Sequence, residues 1–208
     1  MPSTARPLHG DASRAAAALS AADGRPRAHT ARTRAIVCGL DVEPCDLYIV
    51  RHAIAAERGE EWPDDTKRPL TEEGIARFKE AVGGLAWLDV EIDEIFTSPL
   101  VRAKQTATLL AHGLGNKTSV KTLEALAPGH TPPQVMNELS RTAKRHRIAL
   151  VGHEPGLGDL AAHLVGAPRP LPFKKGGVCY VAIQGLASRR PGELVWFLPP
   201  KVLRRLAR

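Results

Sequence analysis

From Asp46 onward the chain alternates short, unbroken apolar runs with longer stretches whose apolar residues recur at helical spacing. Leu47-Tyr48-Ile49-Val50 has no polar break, the pattern of a strand buried on both faces. Pro69-Leu70-Thr71-Glu72-Glu73-Gly74 opens a helix with Thr71 as its N-cap, and Ile75, Phe78, Val82, Leu85 and Leu88 carry it on. Residues 94–97 predict a second strand and residues 100–111 a second helix. Residues 120–126 are ambiguous, a weak strand running into a loop at Pro128-Gly129. Pro132-Pro133 begins a third helix, to about residue 144, and residues 148–151 form a third strand with a helix starting near 155–157. Residues 178–183 and 194–198 read as two last strands joined by a polar turn at 188–192, and 201–207 as a short basic helix. Strands alternating with helices imply an α/β fold: a three-layer α/β/α sandwich around a mostly parallel sheet. No internal repeat and no linker interrupts residues 46–208, which are expected to form one domain.

Residues 1–45 are different. Rich in Ala, Arg, Ser and Thr, and almost without large apolar residues before Ile36, they lack the material for a core and predict a disordered or loosely ordered extension. They lack the apolar stretch of a secretory signal; being Arg-rich and poor in acids, they loosely resemble an organelle transit peptide. A cytoplasmic location is the simpler expectation, with organelle targeting through this segment as the alternative. In either case its removal should leave folding and activity intact.

The 208 residues are 43% hydrophobic and 25% charged, ordinary values for a globular protein, and no apolar run approaches the ~20 residues of a membrane span. Cys38, Cys45 and Cys179 form no CxxC pair, which argues against a disulfide scaffold or a structural zinc site. A net charge of +7 raises the question of nucleic acid. The segment 1–45 contributes +2 of it, the last ten residues +4, and the 19 basic and 18 acidic residues of 46–198 only +1. Basicity at the chain ends, with 4% aromatics, is not the concentrated face of a nucleic-acid binder. Nothing in the pattern specifies an oligomeric state.

In open α/β sheets the reactive residues stand at the carboxyl ends of the strands. There the chain places Arg51-His52, then Ser98-Pro99-Leu100-Val101-Arg102, then Gly152-His153-Glu154-Pro155. Two arginines and two histidines on one rim suit a phosphoryl group: a guanidinium fork matches phosphate oxygens, and a neutral histidine can attack phosphorus. Flanking arginines disfavour the imidazolium form. Arg102 at a helix start opposes the helix dipole, an arrangement that an anion bound beside it would explain.

These residues resemble the histidine phosphatase superfamily, whose Arg-His-Gly motif stands here as Val50-Arg51-His52-Ala53. The likeness extends to residues 65–74, to Thr97-Ser98-Pro99-Leu100-Val101-Arg102-Ala103-Lys104-Gln105-Thr106-Ala107 and to Val151-Gly152-His153-Glu154-Pro155. The short length and the Arg-Pro-Leu-Thr segment look most like the small bacterial phosphohistidine phosphatases of the SixA type. Alanine at position 53 departs from the usual glycine and is tolerable if its φ is not positive.

The resemblance implies a phosphoglycerate-mutase-like fold and a two-step mechanism. His52 attacks phosphorus and water then releases phosphate, while Arg51, Arg102 and His153 bind the oxygens. Neither a metal nor a cofactor is implied. For the leaving-group proton, family patterns point either to Glu154, beside the second histidine, or to Glu124, on the loop after the third motif. Asp64, Asp65 and Arg68 either line the entrance or pair on the surface; His112, His130, His146 and His163 read as surface or packing residues.

The short intervals between motifs leave no room for the capping insertions of family members that act on small sugar phosphates. An open site suits phosphohistidine on a partner protein. A small phosphomonoester or oligophosphate as substrate, or a catalytically weak phosphoprotein-binding module, are the alternatives.

Overall fold

The computed structural model describes residues 43–115 and 119–208. The expectations for residues 1–42 lie outside the described residues. Among the described residues six strands form one sheet: β1 (Cys45–Arg51), β2 (Glu94–Thr97), β3 (Val120–Thr122), β4 (Arg147–Gly152), β5 (Val178–Ile183) and β6 (Glu193–Leu198), in the spatial order β3-β2-β4-β1-β5-β6. The pairs β1–β4, β2–β4 and β2–β3 are parallel, whereas β5 runs antiparallel to both β1 and β6. The sheet is therefore mostly parallel, with an antiparallel pair closing one side.

Five helices among the described residues cover it: α1 (Glu72–Trp87), α2 (Val101–Gly113), α3 (Pro132–Thr142), α4 (Gly156–Val165) and α5 (Pro200–Leu206). The side-chain alternation of the strands sorts them into two layers. Val50, Ile95 and Val151 pack with Phe78, Val82 and Leu85 of α1, Ala107 and Leu110 of α2 and Leu203 of α5. Leu47, Ile49, Ile148 and Leu150 face the other way, onto Leu139 of α3 and Leu157 and Leu160 of α4. Thr71 caps α1 as its sequence position predicts, its hydroxyl accepting from Gly74 N at 2.9 Å.

The ambiguous segment resolves into a three-residue strand on the sheet edge followed by a 3₁₀ turn at Glu124–Leu126. Glu138 of α3 holds that turn, accepting from the backbone N–H groups of Glu124 and Ala125 at 3.2 and 2.9 Å. Among the described residues no helix is long and apolar enough to cross a membrane.

Candidate active site

The sheet register builds the rim. Arg51 pairs with Gly152, so His52 and His153 follow at one level, and Thr97 pairs with Val151, so Ser98 stands beside Gly152, one residue below them. Backbone bonds extend the ladder by one residue, from His52 N to Gly152 O at 3.1 Å and from Ser98 N to Val151 O at 2.9 Å. The two imidazole rings lie 5.0 Å apart, centroid to centroid, and both residues are buried, at 6% and 5% exposure.

Each histidine is tied by a different nitrogen. His52 Nδ1 lies 2.7 Å from the carbonyl oxygen of Ala53. A carbonyl only accepts, so Nδ1 carries the hydrogen and Nε2 of the neutral ring keeps its lone pair. Ala53 is itself fixed, its N–H donating to Thr106 Oγ1 at 3.1 Å while that hydroxyl donates to Arg102 O at 2.7 Å. Among the described residues only Asp89 combines a side chain with positive φ, so alanine occupies position 53 without backbone strain.

His153 is held through Nε2, 2.8 Å from Ser98 Oγ, and that oxygen also accepts from Leu100 N at 3.3 Å. With Leu100 as its donor, the Ser98 hydroxyl is free to give its own proton to Nε2. When it does, His153 is the Nδ1–H tautomer; an Oγ that accepts from both Leu100 N and an Nε2–H gives the other tautomer.

Burial pushes His52 down to about 4; Arg102, Arg51 and Arg68 push the same way, and the bond to Ala53 opposes them. His153 falls to about 3, through burial first and then the charges of His52 and Arg102. Both rings are neutral at neutral pH. Burial also lowers Arg51 and Arg102 from their ordinary values, opposed by Glu154 and Asp65 respectively. Both stay charged, because a guanidinium starts so high.

Arg102 sits in the first turn of α2, whose N-cap residue Leu100 supplies no side-chain cap. It is 3% exposed and reaches across to Asp65, donating from Nη1 to the backbone oxygen at 2.7 Å and from Nη2 to Oδ2 at 2.9 Å. Asp65 Oδ1 accepts in turn from Arg68 Nε at 2.9 Å and Arg58 Nε at 3.0 Å. Burial raises the Asp65 carboxyl, but Arg102 and Arg68 outweigh it and hold the group below its usual value. Arg68 is 9% exposed and also donates to Ala56 O at 2.6 Å. It is a buried residue of the site rather than a surface ion-pair partner.

The reason is tertiary. The loop after β1 folds back against α2, where Gln105 Oε1 accepts from Leu70 N at 2.7 Å. The Arg-Pro-Leu-Thr segment was the sequence signal for Arg68. Asp65, as the common acceptor of three arginines, had none.

The two carboxylates named for the leaving-group proton sit in different settings. Glu154 Oε1 accepts from Phe173 N at 2.6 Å, and Arg51 Nη1 donates to Phe173 O at 2.5 Å. Glu154 and Arg51 thus grip the two ends of one residue in the loop before β5. Glu124 is exposed at the start of the 3₁₀ turn, whose next residues, Ala125 and Leu126, line a small cavity with His153. His112, His130, His146 and His163 are all exposed, and His130 borders that same cavity.

Three buried nitrogens around His52 have no hydrogen-bond partner among the described residues: Arg51 Nε, Arg102 Nε and His153 Nδ1. Leaving a buried polar group unpaired costs about 1–3 kcal/mol, so three in one place mark a site shaped for something other than stability. Among the described residues no group of three or more His, Cys, Asp or Glu is placed to hold a metal ion.

The model of the histidine phosphatase superfamily (branch 1) matches residues 47–128. An uncharacterized protein of Picosynechococcus sp. (strain ATCC 27264 / PCC 7002 / PR-6) is 37% identical over 76% of this chain and 98% of its own length. The chain belongs to the histidine phosphatase superfamily. Its relatives include the phosphohistidine phosphatase SixA of Escherichia coli (strain K12), 26% identical over 74% of this chain and 93% of that protein. A solved structure of the protein histidine phosphatase SixA complexed with tungstate superposes with a TM-score of 0.67 at 26% identity, covering 76% of this chain and 99% of that one. Phosphoglycerate mutase from Bacillus anthracis str. Sterne shares the fold, with a TM-score of 0.56 at 14% identity over 81% of this chain and 99% of the mutase. Superfamily members of this kind are phosphatases, and the four motifs fall on the elements that carry the rim.

Proposed function

We propose that this chain hydrolyses phosphohistidine on a partner protein, without a metal or cofactor, through a covalent phosphohistidine on His52. The observation that carries the reading is the set of orphaned nitrogens on Arg51, Arg102 and His153 around the free Nε2 of a neutral His52. A phosphoryl group satisfies all of them at once. The SixA relatives act on this substrate class by name, and one was solved with tungstate, a tetrahedral oxyanion like phosphate.

In the first step the Nε2 lone pair of His52 attacks phosphorus and the substrate's P–N bond breaks. The leaving imidazole takes a proton from water, or from the carboxyl group of Glu124 once that group has itself taken one from solvent. Arg51 and Arg102 neutralise the equatorial oxygens, and the Nδ1–H of His153 donates to one of them. In the second step water attacks the phosphoenzyme, the His52–P bond breaks, and inorganic phosphate leaves. Glu154 acts as a positioning residue: it fixes Phe173, whose carbonyl aims Arg51. A phosphoramidate is a good leaving system, so the reaction makes little demand on a dedicated acid.

The test is to offer the full chain a phosphohistidine carrier protein and, in parallel, a panel of phosphomonoesters and oligophosphates. Rapid loss of the carrier's phosphate with slow turnover of the panel is expected, together with an acid-labile, alkali-stable label trapped on His52 during turnover. Preference for a phosphomonoester or oligophosphate would move the assignment to that substrate, and binding of the phosphocarrier without turnover would make the chain a binding module.

A further inference from the structure

Beside the rim, and continuous with it through Arg51, runs a groove of about 650 Å³. Four segments make it: the end of β1 with the loop after it, α1, the loop before β5, and α5 with the residue before it. Its cations beyond Arg51 are Arg77, Lys174, Lys175, Lys201 and Arg204, and among the described residues no acidic one lines it. Arg77 is paired with Glu73 at 2.5 Å and Arg204 with Glu80 at 3.6 Å. Among the described residues Lys174, Lys175 and Lys201 have no ion-pair partner, and all three are exposed. The rest of the lining is apolar, from Ile54, Phe78, Pro199 and Pro200.

The phosphoryl chemistry described above uses Arg51 but none of the other five cations. Their concentration is also unexplained by folding, since like charges held together repel and raise the energy of the compact state. From the cationic walls, the apolar floor and the opening onto Arg51, we infer that the groove receives an acidic segment of the phosphorylated partner, with carboxylates on the lysines and an apolar side chain on the floor.

Three features select this occupant. The charge is complementary to carboxylates, the groove is continuous with the place where the phosphoryl group must lie, and the floor rewards a hydrocarbon side chain, which an oligophosphate does not possess. A volume of this size takes a few residues, comparable to a small-molecule site. The inference rests on the phosphohistidine reading for the partner's identity. The groove's preference for acidic polypeptide is measurable without it.

The probe is a fluorescent peptide of about ten residues alternating Glu and Leu, with a Gln-for-Glu counterpart, titrated against the full chain by anisotropy. The acidic peptide is expected to bind and the Gln peptide to bind at least roughly tenfold more weakly, with affinity falling as salt rises from about 0.05 to about 0.5 M. The double variant Arg77→Glu, Lys201→Glu should lose roughly tenfold or more in acidic-peptide affinity. Lys79→Glu, Lys104→Glu, which makes the same charge change on exposed positions outside the groove, should lose little. Equal binding of the Glu and Gln peptides, or equal losses in the two double variants, overturns the inference. Tripolyphosphate binding where the acidic peptide does not bind also overturns it and makes the groove a small-polyanion site.

Hydrolysis of free phosphoramidate by the wild type is measured separately. If that hydrolysis fails, the phosphatase reading falls while the peptide titration still judges the groove.

Discussion

β1 and β4 are adjacent parallel strands, and each is followed by a histidine just past a matched register pair. Their surroundings then diverge. His52 gives Nδ1 to the carbonyl of its own neighbour, Ala53, and presents Nε2; His153 is held at Nε2 by Ser98, on a third strand end, and has Nδ1 unpartnered. Both rings are buried and kept neutral, so charge does not separate their roles. The tied nitrogen does. One ring offers the lone pair of Nε2 and the other an unpartnered Nδ1, which as an N–H suits a donor to the phosphoryl oxygens facing a nucleophile.

The sharpest way to break the comparison is to remove each ring in turn. His52→Ala should abolish both turnover and the trapped phosphoenzyme, a loss of ~10⁴ or more, because a covalent nucleophile has no substitute. Residual turnover with label on His153 would reverse the two roles. His153→Ala should slow turnover by on the order of 10²–10³, the cost of one preorganised donor, while still allowing His52 to be labelled. Single-turnover measurements with labelled phosphohistidine carrier separate the two variants.

Arg102→Lys tests the part that both histidines share. A point charge cannot reproduce the fork that meets Asp65 and also faces the site, so a loss of on the order of 10² in kcat/KM is expected. Near-normal turnover would remove Arg102 from the phosphoryl site.

Ser98→Ala touches only one half of the pair. It frees His153 Nε2 and leaves a buried ring nitrogen without a partner, worth about 1–3 kcal/mol, or roughly 5- to 150-fold if the whole cost falls on turnover. His52 labelling should persist in that variant, and if labelling fell together with turnover the two rings would not be independently oriented.

Acidification produces the smallest and most graded effect. Both histidines have folded-state values, about 4 and about 3, below the ordinary value of 6.5. Between those limits the unfolded chain binds more protons than the folded one, so stability rises with pH there. Their contribution is full above pH ~6.5 and is lost as pH falls from ~6.5 to about 4 for His52 and to about 3 for His153. Denaturant titrations should show a shallower acid loss for His153→Ala than for wild type across this window. The kcat/KM profile should keep its acid limb near 4, the value for His52 in the free enzyme. An acid limb near 6.5 would mean that His52 is solvated, contrary to its burial.

The strands, helices and motif residues were legible because each depends on its own neighbourhood. Apolar runs make buried strands, Thr71 caps the helix it precedes, and Arg51, His52, Arg102 and His153 occur in short segments whose strand ends place them. Residues 120–126 were not legible. Three residues on a sheet edge bury too little to leave a pattern, and the turn after them is held by Glu138, more than ten positions away.

The carboxylates were equally opaque, since Glu154 is next to His153 in sequence yet bonded to Phe173. Arg68 and Asp65 read as loop residues until the loop packs on α2 and closes three guanidinium groups around one carboxylate. The sequence alone determined which chemical groups stand at the strand ends, because strand and motif order are local. Which nitrogen each histidine presents, which carboxylate is free, and how α1, α5 and the loop before β5 join into a basic groove were decided only by tertiary structure. Each of these depends on partners that meet only when the sheet has formed.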